Sequence, residues 1–199
     1  NVAVTPPVLT DSIRVLTPER YNRSVYVLAR LVPAGSLRES LILKLYTDML
    51  ARGTNSPLYE EIREKRGLAY NLSAAHNQYQ DLGILGFSVS TQFRQMDDVH
   101  AIIWQEMERI LQNQTRFNEV KQMITQSVLH REYNVMSVLD YAIDTYLDFG
   151  RPLPINETME ILDSITLADV AKTMTGYMDD QAFLNVRVDC DSHHDSLVQ

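Results

Sequence analysis

The sequence of 199 residues contains a single cysteine, Cys190, and no long apolar run. One cysteine excludes an internal disulfide and a zinc cluster built from several thiolates. No stretch approaches the roughly 20 apolar residues that span a bilayer, and the first seven residues lack the basic and apolar regions of a signal peptide. The sequence therefore predicts no membrane partner, and packing must stabilise the fold.

A surplus of positive charge is also missing. Lysine and arginine total 18 against 26 aspartates and glutamates, which gives a formal net charge of −8. Proteins that bind DNA or RNA use surplus cations to neutralise phosphates, so we expect no nucleic-acid partner. With 45% apolar and 22% charged residues, the chain is too ordinary to be disordered or fibrous and is long enough for a substantial core.

The two ends of the sequence differ in composition from its middle. The chain begins without methionine and opens on Asn-Val-Ala-Val-Thr-Pro-Pro, a composition typical of an interdomain linker. We predict a linker over residues 1–11, a single α+β domain over residues 12–188 and a polar tail over residues 189–199. The opening also predicts that the chain was taken from a longer protein.

The order of patterned segments predicts an α+β fold. Residues 68–78 and 84–91 are predicted to pair as a long hairpin, and amphipathic helical segments separate this hairpin from the last strand. Gly86, in the second strand of the hairpin, indicates close packing or a β-bulge. This order favours a two-layer sandwich in which helices cover one face of a mostly antiparallel sheet. The runs predicted to be strands are residues 13–16, 24–32, 68–78, 84–91 and 183–188.

Short polar signals predict where helices begin. Ser36 is followed three residues later by Glu39, and Thr166 is followed in the same way by Asp169, which is the spacing of a capping box. Asp97 stands before an amphipathic run and is predicted to be its N-cap.

A short helix is predicted after the first of these. Ser56 is its predicted N-cap, Pro57 its first residue and Gly67 the residue that ends it.

The histidines lack the neighbours that a catalytic metal site needs. Neither H-E-x-x-H nor H-x-x-E-H occurs, and the nearest run, His130-Arg131-Glu132, has no second histidine. The sequence also has no G-x-S-x-G nucleophile elbow, no G-x-G-x-x-G and no P-loop. We therefore predict no catalytic residue and no metal site within the patterned part of the chain.

The tail contains several types of metal ligand close together. Cys190, His193, His194 and the neighbouring aspartates lie within six residues and have the chemistry to bind a transition metal loosely. A flexible terminus without a preorganised site explains the same residues. Both interpretations stay open.

One segment, residues 53–70, is more distinctive. It reads GTNSPLYEEIREKRGLAY and is followed at residues 81–87 by DLGILGF. Both pieces, with the order of helices and strands from about Ser12 to Val188, resemble the pitrilysin/insulinase-type zinc metallopeptidases and the mitochondrial processing peptidases. In that family, two homologous α+β domains form half of a clamshell, and two halves enclose a chamber for peptides.

The resemblance is to the second domain of each half, which carries no zinc. It implies an N-terminal domain in the same parent chain, a second half-clamshell subunit or homodimer, and a peptide substrate as partners. It implies no cofactor in this chain and zinc in the parent or in a partner. By the same resemblance, Arg63 and Tyr70 correspond to an arginine and a tyrosine that approach the substrate.

The residue types at these two positions suit that task. A guanidinium holds a peptide carbonyl or carboxylate, and a phenol donates a hydrogen bond to a developing oxyanion. The alternative is that Arg63 pairs with Glu60 or another helix carboxylate while Tyr70 packs in the sheet. Lys65 and Arg66 either steer acidic peptides or form a solvated helix end.

Two functions follow from the resemblance. The first is a non-catalytic C-terminal domain that helps to enclose and position peptides for a zinc site elsewhere, so that the isolated chain is inactive. The alternative is an assembly module of a parent that has lost its zinc motif, as in the core subunits of a respiratory complex of this family. The absence of organelle-specific insertions favours a bacterial protein, with the cytoplasm as the expected compartment.

Overall fold

A computed structural model describes residues 24–189 of the chain. The linker predicted at residues 1–11, the strand predicted at 13–16, and Cys190, His193 and His194 lie outside the described residues. The elements in chain order are β1 (Ser24–Pro33), α1 (Leu37–Ala51), a π-helix (Tyr59–Lys65), β2 (Ala69–Gln78), β3 (Leu82–Thr91), α2 (Met96–Arg109), α3 (Gln114–His130), α4 (Val135–Phe149), α5 (Ile155–Ser164), α6 (Leu167–Thr175) and β4 (Leu184–Val188).

The four described strands form one sheet in the order β2-β3-β1-β4. Each pair of neighbours is antiparallel, and β2 and β3 form the predicted hairpin. The predicted α+β class with a mostly antiparallel sheet is therefore confirmed. The limits of the domain at residues 12 and 188 stay predictions.

The core lies between one face of the sheet and the helices. Along β1, the fully buried Tyr26 and Leu28 alternate with the half-buried Val25 and Val27, as expected for a strand with one face on the core. Helix α1 contributes a row of fully buried side chains to the same cluster, and each contributes about 1.5–3 kcal/mol on burial. That row is Leu45, Tyr46, Met49 and Leu50.

Both predicted capping boxes are confirmed. At the start of α1, the Glu39 amide donates to the Ser36 hydroxyl at 3.3 Å, and the Ser36 amide donates to the Glu39 carboxylate at 2.7 Å. Thr166 and Asp169 exchange the same two bonds at the start of α6, at 3.2 Å and 2.8 Å. These reciprocal bonds satisfy amide groups that have no partner within a helix.

The expected N-cap of α2 was wrong. Helix α2 begins at Met96, so Asp97 lies in its first turn. There the carboxylate forms an ion pair with the Arg187 guanidinium of β4 at 2.7 Å. Its negative charge still lies at the positive end of the helix dipole. An acidic residue is therefore favoured at this position although it does not cap the helix.

The β-bulge suggested for Gly86 lies elsewhere. Gly86 is in register with Ala29 of β1, and a side chain there would meet the Ala29 Cβ at an ordinary 3.7 Å. The shift in register lies at the start of β2 instead, between Ala69 and Asn71, so that Tyr70 has no residue opposite it on β3. A bulge at this point changes the direction of the Tyr70 side chain.

His76, on the core side of β2, makes the stability of the fold depend on pH. Burial, with a smaller effect of the Lys44 charge, lowers the pKa of His76 to about 4. Its Nε2 atom is buried and has no hydrogen-bond partner among the described residues. As the pH falls from 6.5 towards 4, the unfolded chain therefore binds a proton at this position before the folded chain does, which destabilises the fold.

We expect His76→Gln to remove this effect. Urea titrations at pH 7 and pH 4.5 should show that the variant loses roughly 2 kcal/mol less unfolding free energy than the original chain over that interval. His130→Gln makes the same substitution at an exposed histidine and is the control with which His76→Gln is compared. Equal losses in His76→Gln and the original chain would contradict the assignment.

Candidate functional site

The site begins with the π-helix at Tyr59–Lys65. Leu58 and Ile62 are fully buried and fix its inner side in the core. The Glu60 amide donates to the Ser56 carbonyl at 2.9 Å, so Ser56 starts the helical turns through its backbone. Its hydroxyl is buried without a hydrogen-bond partner among residues 24–189, so the expected side-chain cap is not formed.

Gly67 ends the helical turns, as predicted, and directs the chain into β2. Its φ of 59° lies in the left-handed region that glycine adopts without a steric penalty. The Gly67 amide donates to the Arg63 carbonyl at 3.1 Å, and the Leu68 amide donates to the Ile62 carbonyl at 2.8 Å. The π-helix and the first residues of β2 are thereby held side by side.

Two carboxylates of the π-helix, those of Glu60 and Glu61, pair with Lys65. Its ammonium group lies 2.7 Å from Glu61 and 2.9 Å from Glu60, and Arg66 lies 3.9 Å from Glu61. The hydrogen bond from Lys65 is the main reason that the pKa of Glu61 is lowered. Glu60 is therefore a partner of Lys65, and the ion pair considered for Arg63 and Glu60 is not formed.

Arg63 lies between two aromatic rings. Its guanidinium carbon is 4.8 Å from the centre of the Tyr59 ring and 5.1 Å from that of Tyr70. One guanidinium nitrogen donates to the Tyr70 carbonyl at 3.2 Å, and no carboxylate in residues 24–189 lies within 4.0 Å of the group. Two rings and one carbonyl hold the cation in place without neutralising its charge.

The structure thus brings together the two residues proposed from the sequence and adds a third. Tyr70, at the bulge, is 58% exposed beside the half-buried Arg63. Tyr59 was missed, although it precedes Arg63 by four residues on one helix, the spacing at which side chains meet. We call Tyr59, Arg63 and Tyr70 the arginine-tyrosine cluster.

A buried arginine supports the loop that precedes the π-helix. The Arg116 side chain, on α3, donates to the Met49 carbonyl at 3.1 Å and also to the Arg52 carbonyl, both at the end of α1. It further donates to the Asn55 side chain at 3.3 Å. Arg116 therefore caps the carbonyl end of α1 and fixes the start of the loop that leads to the π-helix.

No metal site accompanies the arginine-tyrosine cluster. Within residues 24–189, no group of three or more histidine, cysteine, aspartate or glutamate side chains is placed to hold a metal ion. A cleft of about 340 Å³ beside the π-helix is lined by side chains of both charges, including Glu106, Arg109 and Glu119. None of the described helices is long and apolar enough to cross a membrane.

The fold and the cluster define an α+β domain with an exposed tyrosine beside a cation that lies between two aromatic rings. Residues 1–126 of the sequence match the family described as "Peptidase M16 inactive domain". The chain belongs to this family, and the predicted resemblance to the non-zinc domain of zinc metallopeptidases is confirmed.

Known proteins resemble this chain in sequence and in fold. An "Uncharacterized zinc protease" from Rickettsia felis is 26% identical over 123 residues, which are 61% of this chain and 30% of that protein. A solved protease from Helicobacter pylori has a TM-score of 0.77 at 15% identity and is matched over 90% of this chain and 44% of its own. A chain of Complex III2 from Candida albicans has a TM-score of 0.78 at 14% identity, over 94% of this chain and 48% of its own.

The matches cover only part of each of these proteins. This chain spans about a third of the Rickettsia felis protein and less than half of each of the two solved chains. More than half of each of those two solved chains lies outside the match, which is consistent with an N-terminal partner domain.

Proposed function

We propose that this chain is the zinc-free domain of a longer zinc metallopeptidase, in which it helps to enclose a peptide and position it for a zinc site in another domain or subunit. The arginine-tyrosine cluster carries the proposal. Arg63 keeps its charge unneutralised by any carboxylate of residues 24–189, next to the exposed Tyr70. The family and the zinc proteases that match the sequence supply the reaction class.

The chemistry of the cluster suits an extended peptide. A guanidinium presents several N–H donors in a plane and binds a peptide carbonyl or a carboxylate. One donor of Arg63 is used by the Tyr70 carbonyl, and no hydrogen bond from its other donors to residues 24–189 is formed. The Tyr59 and Tyr70 rings restrict the side chain, so that less conformational freedom is lost when a peptide binds.

The proposal assigns zinc binding and peptide cleavage to a part of the protein outside this chain, which gives a direct test. The full-length protein that contains this chain should bind zinc and cleave an unstructured peptide. The 199-residue chain should do neither, because it lacks both zinc motifs. Zinc is measured by elemental analysis, and cleavage with a quenched fluorescent peptide, before and after chelation. Zinc-dependent cleavage by the pure 199-residue chain would contradict the proposal.

A zinc-less assembly module is the second candidate. The observation in its favour is the chain of Complex III2, whose fold is similar over 94% of this chain. In this case the full-length protein, alone and in its purified assembly, should contain no zinc and cleave no peptide. Sequence upstream of Asn1 with neither H-x-x-E-H nor H-E-x-x-H would favour the same conclusion.

A further inference from the structure

Thr91 is a buried polar residue at the end of an apolar row. The β3 side chains that face the core include the fully buried Leu85, Phe87 and Val89, and Thr91 continues the same alternation and is also buried. A hydroxyl buried at such a position costs free energy unless it forms a hydrogen bond. The partner of this hydroxyl therefore indicates what Thr91 contributes.

The partner of Thr91 is the backbone just before β2. The Thr91 hydroxyl donates to the Leu68 carbonyl at 2.6 Å, which links positions 23 residues apart. The side-chain oxygen of Gln95 is farther from the same hydroxyl, at 3.4 Å. A threonine hydroxyl carries one proton, and the shorter contact takes it. Thr91 is therefore bonded chiefly to Leu68.

Leu68 is held from two sides. Its amide donates to the Ile62 carbonyl of the π-helix at 2.8 Å, while its carbonyl accepts from Thr91 of β3. The next residue, Ala69, is in register with Thr91. The chain that enters β2 is thereby fixed to the π-helix through one N–H group and to the sheet through one carbonyl.

The same segment leads directly into the β-bulge. The register shift lies between Ala69 and Asn71, with Tyr70 between them. The Tyr70 carbonyl accepts from Arg63 at 3.2 Å, and the centre of the Tyr70 ring is 5.1 Å from the guanidinium carbon. A bulge interrupts the ladder of backbone bonds, so a side-chain bond just before it limits the directions that Tyr70 can take.

We propose that Thr91 is a positioning residue for the arginine-tyrosine cluster. Its hydroxyl holds the Leu68 carbonyl and thereby fixes the bulge that presents Tyr70 beside Arg63. Because Thr91 is buried, it acts through these backbone bonds and not through contact with a peptide. Its effect on catalysis rests on the proposed function, whereas its effect on the geometry of the cluster requires no zinc.

Substitutions at Thr91 separate the hydroxyl from the volume of the side chain. Thr91→Val keeps nearly the same shape without the hydroxyl, and Thr91→Ser keeps the hydroxyl. Thr47→Val is the matched control, because Thr47 is also buried and its hydroxyl also donates to a backbone carbonyl, that of Lys44. Both valine variants should fold, with the Tm lowered by less than about 8 °C. Thr91→Ala, which also lacks the hydroxyl, replaces Thr91→Val if the valine variant does not fold.

Hydrogen-deuterium exchange of the full-length protein tests the geometry. In Thr91→Val, the amides of residues 68–72 should exchange at least about tenfold faster than in the original protein, because the bulge opens without breaking a bond to Thr91. Thr91→Ser should restore slow exchange, and Thr47→Val should leave these amides unchanged. Unchanged exchange in Thr91→Val, or an equal increase in Thr47→Val, would overturn the inference.

Kinetics of a full-length protein that binds zinc test the connection with Tyr70. Thr91→Val should lower kcat for an unstructured peptide by about three- to tenfold through misplacement of the phenol, and Thr91→Ser should recover most of this loss. In the Tyr70→Phe background, Thr91→Val should change kcat by less than about twofold, because the hydroxyl that Thr91 positions is already absent. Equal losses in the two backgrounds would make Thr91 a general stabiliser and overturn the inference.

Zinc content separates this inference from the proposed function. A full-length protein without zinc would contradict the proposed function, and exchange at residues 68–72 would still decide whether Thr91 fixes the bulge. A zinc-containing protein in which Thr91→Val keeps both full kcat and slow exchange would contradict the inference alone.

Discussion

Arg116→Met should lower the free energy of unfolding by about 3–5 kcal/mol, a large loss of stability for a single substitution. The Arg116 side chain is 4% exposed and donates to the Met49 and Arg52 carbonyls and to the Asn55 side chain. Methionine fills a similar volume but donates no hydrogen bond. The carbonyls at the end of α1 would then be buried without these donors.

Urea titration of the 199-residue chain measures this loss. Arg94→Met is the matched control, since Arg94 is exposed and its described bond is to the nearby Gln92. It should change the unfolding free energy by less than about 0.5 kcal/mol. The loss of unfolding free energy in Arg116→Lys should lie between those in Arg116→Met and Arg94→Met, because lysine keeps the charge but lacks the planar donor group. A loss below about 1 kcal/mol in Arg116→Met would show that water replaces these bonds.

The features that sequence predicted correctly depend on neighbouring residues. The Ser36-Glu39 and Thr166-Asp169 capping boxes need only a spacing of three residues, and Gly67 needs only its own φ. In each of these cases the stabilising contact lies within a few positions of the residue that signals it. Such contacts form whatever the rest of the chain does, so the sequence pattern is enough.

The features that sequence did not predict depend on distant residues. Arg116 caps α1 across 67 residues at Met49 and 64 at Arg52, and no local pattern distinguishes it from a surface arginine. Asp97 carries the signal of an N-cap, yet the chain begins α2 earlier and pairs it with Arg187. Hydrophobic period also detects the apolar stripes of α4 without showing which of them the domain buries.

The candidate site combines both cases. Local sequence supplied Arg63 and Tyr70 through the resemblance, and the four-residue spacing between Tyr59 and Arg63 was readable but unused. The bulge that turns Tyr70 depends on the register of β2 against β3, which pattern alone does not fix. The preference of Glu60 for Lys65 over Arg63 likewise depends on the wider turn of the π-helix.

In a full-length protein that binds zinc, Arg63→Met should lower kcat/KM for an unstructured peptide by about 10- to 100-fold. The proposed reason is the loss of a charged donor that the Tyr59 and Tyr70 rings hold in place. Arg66→Met is the matched control, because Arg66 lies at the same helix end but contacts Glu61. It should change kcat/KM less than about twofold, in line with the small contribution of exposed ion pairs. Equal losses in both variants would indicate general electrostatic steering and contradict a specific role for Arg63.

Variants of the two tyrosines distinguish two roles. One is a hydroxyl that contacts the substrate, and the other is a ring that positions the Arg63 guanidinium. Tyr70→Phe keeps the ring over Arg63 and removes only the phenol, so it should lower kcat at least about tenfold if that phenol stabilises a developing oxyanion. Tyr59→Phe should leave kcat unchanged, since the described contact of Tyr59 with Arg63 is through its ring. Tyr59→Leu removes the ring and should raise KM with a smaller effect on kcat, because a mobile guanidinium binds peptide less well in the ground state and the transition state alike. Unchanged zinc content and Tm in every variant would exclude loss of folding, and full activity of Tyr70→Phe would limit Tyr70 to a positioning role.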